Sequence, residues 1–382
     1  MAELAATPPL GWNSWNQFAS AVDQDKVLAA ARALQRHGLQ AMGYDTVVID
    51  DCWSQPQRDS LGNLVAHKER FSGGIAALAK EVHGLGLKLG IYSCAAEKTC
   101  AGYLGSLGFE DQDAKLFASW GVDFLKYDYC NAPQDQAAAI QRYTRMGNAL
   151  QACGRPILYS LCEWGGRAPQ LWGRQAGGQM WRVSGDLFDS WVDVWVDKPG
   201  YYGVGVGSAF DLAASLAPYG GPGGWNDLDM LIIGLQGKGA VKGGGLSPAE
   251  YRTHLTLWIL ACSPLMLGCD LDQLSGEELD QLRNAEALSV NQDPLGLPGR
   301  RVSVQGSCEA WAKPLADGGV ALGLFNRGEA GADLQLSAAH LGLLDHPKAV
   351  RDLWARSDAG ELAAQRRWRI QPHHSLLLKV VA

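Results

Sequence analysis

Val122–Cys130 reads VDFLKYDYC, and this stretch decides the fold. Its apolar residues run almost without interruption, as they do in a strand of a parallel sheet buried on both faces. Two of its charged residues, Lys126 and Asp128, come toward the C-terminal end, two positions apart, and therefore face the same way. Seven further runs share this plan: Pro9–Trp15, Tyr44–Trp53, Leu87–Cys94, Pro156–Trp164, Gln179–Asp186, Gly223–Leu231 and Trp258–Leu267. Eight apolar runs with room for helices between them predict a (β/α)8 TIM barrel.

Helix signals fall in the gaps. Asp23 is placed to cap Gln24–His37, which stops at Gly38. Asp111–Trp120 stops at Gly121, and Gln134–Cys153 at Gly154. Ser247-Pro248-Ala249-Glu250 combines an N-cap, a first-turn proline and a capping-box glutamate. Ser275–Ala287 is the last expected helix, and Gly-rich Gly234–Gly245 reads as a loop. After Asp293-Pro294-Leu295-Gly296 the pattern changes to short β-like runs: Val302–Val304, Cys308–Lys313, Val320–Asn326, Ala332–Leu336, Ala349–Asp352 and Leu376–Val381. The expected division is thus a catalytic barrel over residues 1–292 and a C-terminal antiparallel β-sandwich over 293–382.

Bulk composition narrows the function. A net charge of -7 argues against nucleic acid or an anionic membrane as partner and suits a neutral substrate. There is no run of 18 apolar residues, so no membrane span is expected. Met1–Pro9 has neither a basic start nor an apolar core. A secreted or periplasmic location would follow if a leader had been removed, and a cytoplasmic one otherwise. Fourteen tryptophans offer flat faces for sugar rings, though a large barrel core accommodates many of them anyway. Nine cysteines, an odd number, cannot all pair within the chain.

The chemistry gathers at the strand ends: Asp50-Asp51-Cys52-Trp53, Lys126-Tyr127-Asp128, Cys162-Glu163-Trp164, Arg182 with Asp186, and Trp225-Asn226-Asp227-Leu228-Asp229. One strand-end aspartate is more often a helix cap than a catalyst. Five acidic ends on one face are harder to read as caps, and Lys126 and Arg182 are the cations that could offset their repulsion. Paired carboxylates suit glycoside hydrolysis, in which one attacks the anomeric carbon and the other protonates the leaving oxygen. The ammonium of Lys126 favours an ionised Asp128, as a nucleophile needs, although a purely structural ion pair would read the same way. Spacing leaves both Asp186 and Asp189 open for the acid.

A set of motifs resembles glycoside hydrolase family 27, the α-galactosidase (melibiase) family. They are PPLGWNSWNQF (Pro8–Phe18), GYDTVVIDDCW (Gly43–Trp53), LGIYS (Leu89–Ser93), FLKYDYC (Phe124–Cys130), CEWG (Cys162–Gly165), WRVSGD (Trp181–Asp186) and GGWNDLDML (Gly223–Leu231). They keep the family's order and spacing over about residues 8–290. The resemblance implies Asp128 as nucleophile and Asp186, rather than Asp189, as acid/base of a retaining exo-glycosidase. It implies Asp50 and Asp51 as ligands of the 4- and 6-hydroxyls of galactose. Lys126 and Arg182 become hydroxyl ligands, Trp15 an aromatic wall, and Cys162 and Trp164 the residues that set the space around carbon 2. It also implies a Cys100–Cys130 disulfide beside the site, no metal and no cofactor, and a galactoside or oligosaccharide as the substrate.

Two departures from the family pattern stand out. Ala19-Ser20-Ala21-Val22 holds no cysteine to pair with Cys52, and Cys94 stands where many relatives have aspartate. The rival activities are β-L-arabinopyranosidase, whose sugar lacks the 6-hydroxymethyl, and α-N-acetylgalactosaminidase, which Trp164 disfavours. A sugar-binding barrel without catalysis would lose Asp128 or Asp186, and both are present. A metal-dependent sugar enzyme would need histidines at the strand ends, and His83, His254, His373 and His374 lie elsewhere.

Overall fold

The structure is a computed structural model that describes residues 4–196, 202–341, 347–363 and 365–381. Eight strands form one parallel sheet: β1 (Leu10–Asn13), β2 (Thr46–Val48), β3 (Lys88–Cys94), β4 (Phe124–Asp128), β5 (Leu158–Cys162), β6 (Met180–Arg182), β7 (Trp225–Asp227) and β8 (Leu265–Leu267). Neighbours pair in chain order, and β8 returns to β1. Just beyond β7, Leu231 bridges Leu267 of β8, and its N–H donates to Met266 O at 2.7 Å, which closes the barrel.

Alternation along the strands divides each one between two environments. On β4, Leu125 and Tyr127 pack outward into the layer shared with the helices. Phe124 faces the barrel axis, where it meets Val48, Met180, Trp225 and Met266 in an apolar plug. Gly90 makes room for that plug, because a Cβ there would lie 2.7 Å from Val48 and 3.1 Å from Phe124. Lys126 and Asp128 continue on Phe124's face, one and two steps above the plug.

Among the described residues, the helices longer than about one turn are α1 (Gln24–Arg36), α2 (Ile75–Gly84), α3 (Glu110–Trp120), α4 (Gln136–Ala152), α5 (Val206–Leu216), α6 (Pro248–Leu260), α7 (Gly276–Leu282) and α8 (Ala285–Asn291). The expected caps are in place: Asp23 accepts from Lys26 N, Gly121 ends α3 in the left-handed region, and Ser247 and Glu250 complete a capping box. Two expectations need correction. Trp258–Leu260 belongs to α6 and not to a strand, because α6 is buried on nearly every side and so lacks amphipathic periodicity. Ser275–Ala287 is two helices, broken where the Asn284 side chain caps α8 by accepting from Glu286 N and Ala287 N.

The C-terminal strands are β9 (Arg300–Gln305), β10 (Cys308–Pro314), β11 (Val320–Asn326), β12 (Ala332–Leu336), β13 (Lys348–Asp352), β14 (Ser357–Leu362), β15 (Arg366–Ile370) and β16 (Ser375–Val380). They form a six-stranded sheet, β9-β10-β11-β16-β13-β14, and a β12-β15 pair, all antiparallel. The two layers enclose Leu322, Leu324, Leu334, Leu336, Trp368 and Leu378. The large sheet's other face, with Trp311, Phe325 and Leu377, packs into the barrel's own core. There Phe325 meets Phe210 of α5 edge-on at 4.9 Å.

Candidate active site

The barrel brings the last residues of most of its strands to one end, where Asn13, Cys94, Asp128, Cys162, Arg182 and Asp227 terminate β1, β3, β4, β5, β6 and β7. Asp50 and Asp51 lie two and three residues past the end of β2. Cross-strand register sets two rows. Tyr92, Lys126 and Ser160 lie abreast, and one step higher so do Cys94, Asp128 and Cys162.

Asp50 is bonded through both of its carboxylate oxygens. Its Oδ2 accepts from Lys126 Nζ at 2.7 Å and Asn13 Nδ2 at 2.8 Å, and its Oδ1 from the Asp51 N–H at 2.9 Å. Lys126 is therefore ion-paired directly with Asp50, although its charge also acts on Asp128. Asp51 is held by Cys52 N at 2.6 Å and by Ala101 N at 2.9 Å. Burial raises the Asp51 carboxyl, against the pull of those bonds.

Asp128 is only 5% exposed. Tyr92 OH donates to its Oδ2 at 2.8 Å, and the Tyr129 N–H to its Oδ1 at 2.8 Å. Burial pushes its carboxyl up to about 6, although Lys126, Tyr92 and Tyr129 all work the other way. Asp128 thus stays ionised at neutral pH with a narrow margin. Asp186 adds a repulsive contribution to it, so the two carboxylates sense each other across the site.

Asp186 is the more accessible of the pair, with 28% of its side chain exposed, and its Oδ1 accepts from Arg182 NH2 at 3.1 Å. Arg182 is buried, and the same nitrogen lies 3.0 Å from Asp229 Oδ2. Its other terminal nitrogen, NH1, lies 3.8 Å from the sulfur of Cys162. Asp189, the alternative acid, points away. It is fully buried, and it accepts from Tyr251 OH at 2.9 Å and from Gly237 N at 2.6 Å, which anchors the Gly234–Gly245 loop. Glu163 also leaves the cluster. It is buried beside Arg167, whose N–H donates to it at 2.9 Å, and burial lifts its carboxyl to about 7. Trp15 follows β1, with its N–H on Asn13 Oδ1 at 2.9 Å, and packs on the edge of the plug. Trp164 is half-buried, with a left-handed backbone at φ 60.

Cys100 and Cys130 are disulfide-bonded, with Cα atoms 5.1 Å apart. Cys100 Sγ lies 3.4 Å from Asp128 Oδ2, and the next residue, Ala101, holds Asp51. Cys52 is a buried free thiol, in keeping with its missing partner. Among the described residues, the group close enough to share an ion is Cys100, Asp128 and Cys130, and its two sulfurs are already joined to each other. Two of the histidines are engaged elsewhere: His83 pairs with Asp123 at 2.7 Å, and His254 packs edge-on against Trp258 at 4.1 Å. Burial lowers His254 to about 3, so it stays neutral.

Three residues that contribute to this geometry carry no role in the sequence reading: Tyr92, Asn13 and Asp229. Tyr92 could have been found from its strand position, since it lies in phase with Lys126 once β3 and β4 are paired.

A parallel barrel whose strand ends bring together two ion-paired clusters of carboxylates has the arrangement of a barrel glycoside hydrolase. Residues 7–293 match the family described as Alpha galactosidase A, and residues 305–380 match the Alpha galactosidase C-terminal beta sandwich domain. The α-galactosidase of Cyamopsis tetragonoloba is 42% identical over 95% of this chain and 84% of its own length. The structure of α-galactosidase I from Mortierella vinacea superposes with a TM-score of 0.92 at 36% identity, covering 100% of this chain and 98% of that one. A β-L-arabinopyranosidase from Geobacillus stearothermophilus superposes with a TM-score of 0.86 at 28% identity, covering 99% and 97%. The chain belongs to glycoside hydrolase family 27, the α-galactosidase family.

Proposed function

We propose that this enzyme hydrolyses terminal α-D-galactosyl residues of galactosides and oligosaccharides by double displacement, with Asp128 as nucleophile and Asp186 as acid/base. The observation that carries the reading is the contrast between the two carboxylates. Asp128 is buried on a rigid strand and fixed by Tyr92 and Tyr129. A fixed, desolvated carboxylate suits direct attack on carbon 1 better than the positioning of a water. Asp186 lies at the open side, where the leaving group must depart and water must enter, so one group can serve as acid and then as base.

The remaining roles follow the family pattern. Asp50 and Asp51 receive the 4- and 6-hydroxyls, and Lys126 and Arg182 bind further hydroxyls. Trp15 forms a wall, and Cys162 and Trp164 limit the space at carbon 2. Asp50, Asp51, Lys126 and Arg182 are already bonded within a buried network, so the pocket is preorganised and little ordering remains for the substrate to impose. Residues 1–292 form the catalytic unit in this reading, and 293–382 the sandwich that supports it.

The test compares p-nitrophenyl α-D-galactopyranoside with the β-L-arabinopyranoside and the N-acetyl-α-D-galactosaminide. The galactoside should give the highest kcat/KM. A higher value on the arabinopyranoside would move the assignment to that activity of the family.

A further inference from the structure

Arg182 NH2 carries two hydrogens and meets four oxygens: Gly185 O at 2.9 Å, Asp229 Oδ2 at 3.0 Å, Asp186 Oδ1 at 3.1 Å and Ser184 O at 3.2 Å. Two of those acceptors are carboxylates, and they compete for one positive charge. Asp229 is 2% exposed and is committed on every side. Its Oδ2 also accepts from Leu187 N, the amide that follows Asp186, at 2.8 Å, and its Oδ1 accepts from Met230 N at 2.7 Å. Its carbonyl accepts from Trp258 Nε1 at 2.8 Å. Its backbone is left-handed, at φ 87, and its N–H is held by Asp227 Oδ1 at 2.9 Å. A non-glycine residue kept in that region by so many contacts marks a built position.

We propose that Asp229 is a positioning residue for the acid/base: it draws Arg182's charge away from Asp186 and anchors the peptide next to it, so that Asp186 keeps its proton to a higher pH than Arg182 alone would allow. The inference rests on the assignment of Asp186 as the acid. Among the described residues, the titratable groups facing Arg182 and Asp186 are Asp128 and Lys126 on β4, the neutral thiol of Cys162 on β5, Asp227 at the end of β7 and Asp229 beyond it. Despite the cost of burial, Asp229 is the leading carboxylate holding the guanidinium charged, ahead of Asp186 and Asp227. Burial raises Asp229 itself, and Arg182 opposes that rise.

Asp229→Asn removes the competing charge while keeping the shape and an acceptor for Leu187 N. Two effects then act in one direction. Arg182 turns more fully to Asp186, and a neighbouring negative charge is lost, so the Asp186 carboxylate is stabilised. The basic limb of the kcat/KM profile on an α-galactoside should move down by about one pH unit, as expected for an opposite charge made available within a few ångströms. Asp229→Glu keeps the charge; its limb should stay near the wild-type position even where kcat falls. In an Asp186→Ala background, Asp229→Asn should move no limb. If Asp229→Asn does not fold, Asp229→Ser is read in the same way.

A limb that stays fixed in the folded neutral variants, with only kcat or stability reduced, would overturn the proposal and leave Asp229 a structural residue. Failure of the parent assignment looks different. In that case Asp186→Ala would lose equally on good and poor leaving groups, whereas a true acid mutant retains more activity on nitrophenyl substrates.

Discussion

Replacing Asp128 with asparagine should abolish turnover and yet stabilise the fold at neutral pH. The folded carboxyl titrates near 6, against a reference value of 3.8. Between those values the folded protein keeps a proton that the unfolded chain has released, so stability falls as pH rises through this window. Above about pH 6 the penalty is complete: a rise of about two pH units, at about 1.36 kcal/mol each, is about 3 kcal/mol. At pH 5 about half of it is present. Asparagine does not titrate, and it can still accept from Tyr129 N and meet Tyr92 OH. For 382 residues unfolding as one unit, about 2.1 cal/mol/K per residue converts the gap to about 4 °C at pH 8 and about 2 °C at pH 5. Scanning calorimetry of both proteins from pH 5 to 8 reads this directly. The other buried acids are common to the two proteins and largely cancel. A gap independent of pH, or one that narrows as pH rises, would refute the claim that burial dominates the Asp128 environment.

Three further outcomes are expected. Breaking the disulfide by Cys100→Ser with Cys130→Ser should cost about 2–4 kcal/mol of stability. It should also raise KM more than it lowers kcat, because Ala101 N, which holds Asp51, is released with the loop; unchanged KM in steady-state assays would separate the disulfide from sugar binding. Asp189→Ala should lower Tm and open the Gly234–Gly245 loop to proteolysis, at a cost of about 2–4 kcal/mol for the unpaired Tyr251 and Gly237 groups. It should leave both limbs of the pH profile in place, and a moved limb would return Asp189 to the list of acids. Trp164→Ala should narrow the preference for galactoside over N-acetylgalactosaminide, a discrimination worth at least the 1–3 kcal/mol of about one methylene; an unchanged ratio of kcat/KM would show that Trp164 does not limit carbon 2.

The strand ends were legible because chemistry and burial separate cleanly along these runs. An apolar stretch followed by Asp or Arg marks both a strand and its active end, and that signal located Asp50, Asp128 and Arg182. Helices capped by Asp23 and Ser247 were legible for a similar reason, whereas the Asn284 cap of α8 was read through. Ile75–Gly84 and Val206–Leu216, which the cap signals did not reveal, begin after Gly74 and Gly205 with no side-chain cap. The eighth strand, expected from Trp258, begins only at Leu265, because a helix buried on all sides and a strand buried on both read alike. β14 and β15 escaped because charged residues interrupt them, as in Arg366-Arg367-Trp368-Arg369-Ile370.

Within the site, the limit was partnership at long range. Spacing put Lys126 beside Asp128, but its ion-pair partner is Asp50, 76 residues away in the chain. Glu163 lies one residue past Cys162, which ends β5 abreast of Asp128, yet the alternation that turns Cys162 inward turns Glu163 out to Arg167. The tie between Asp229 and the amide after Asp186 depends on how β6 and β7 sit side by side, which no local pattern encodes.

The central claim is that Asp128 forms the covalent bond to the sugar. Its most direct test is azide rescue of Asp128→Ala on p-nitrophenyl α-galactoside, with the product identified by NMR. With the carboxylate gone, azide should enter the vacated face and restore turnover as β-galactosyl azide. Formation of the α-azide would instead make Asp128 the acid/base, and retention of wild-type hydrolysis by the variant would remove it from the mechanism.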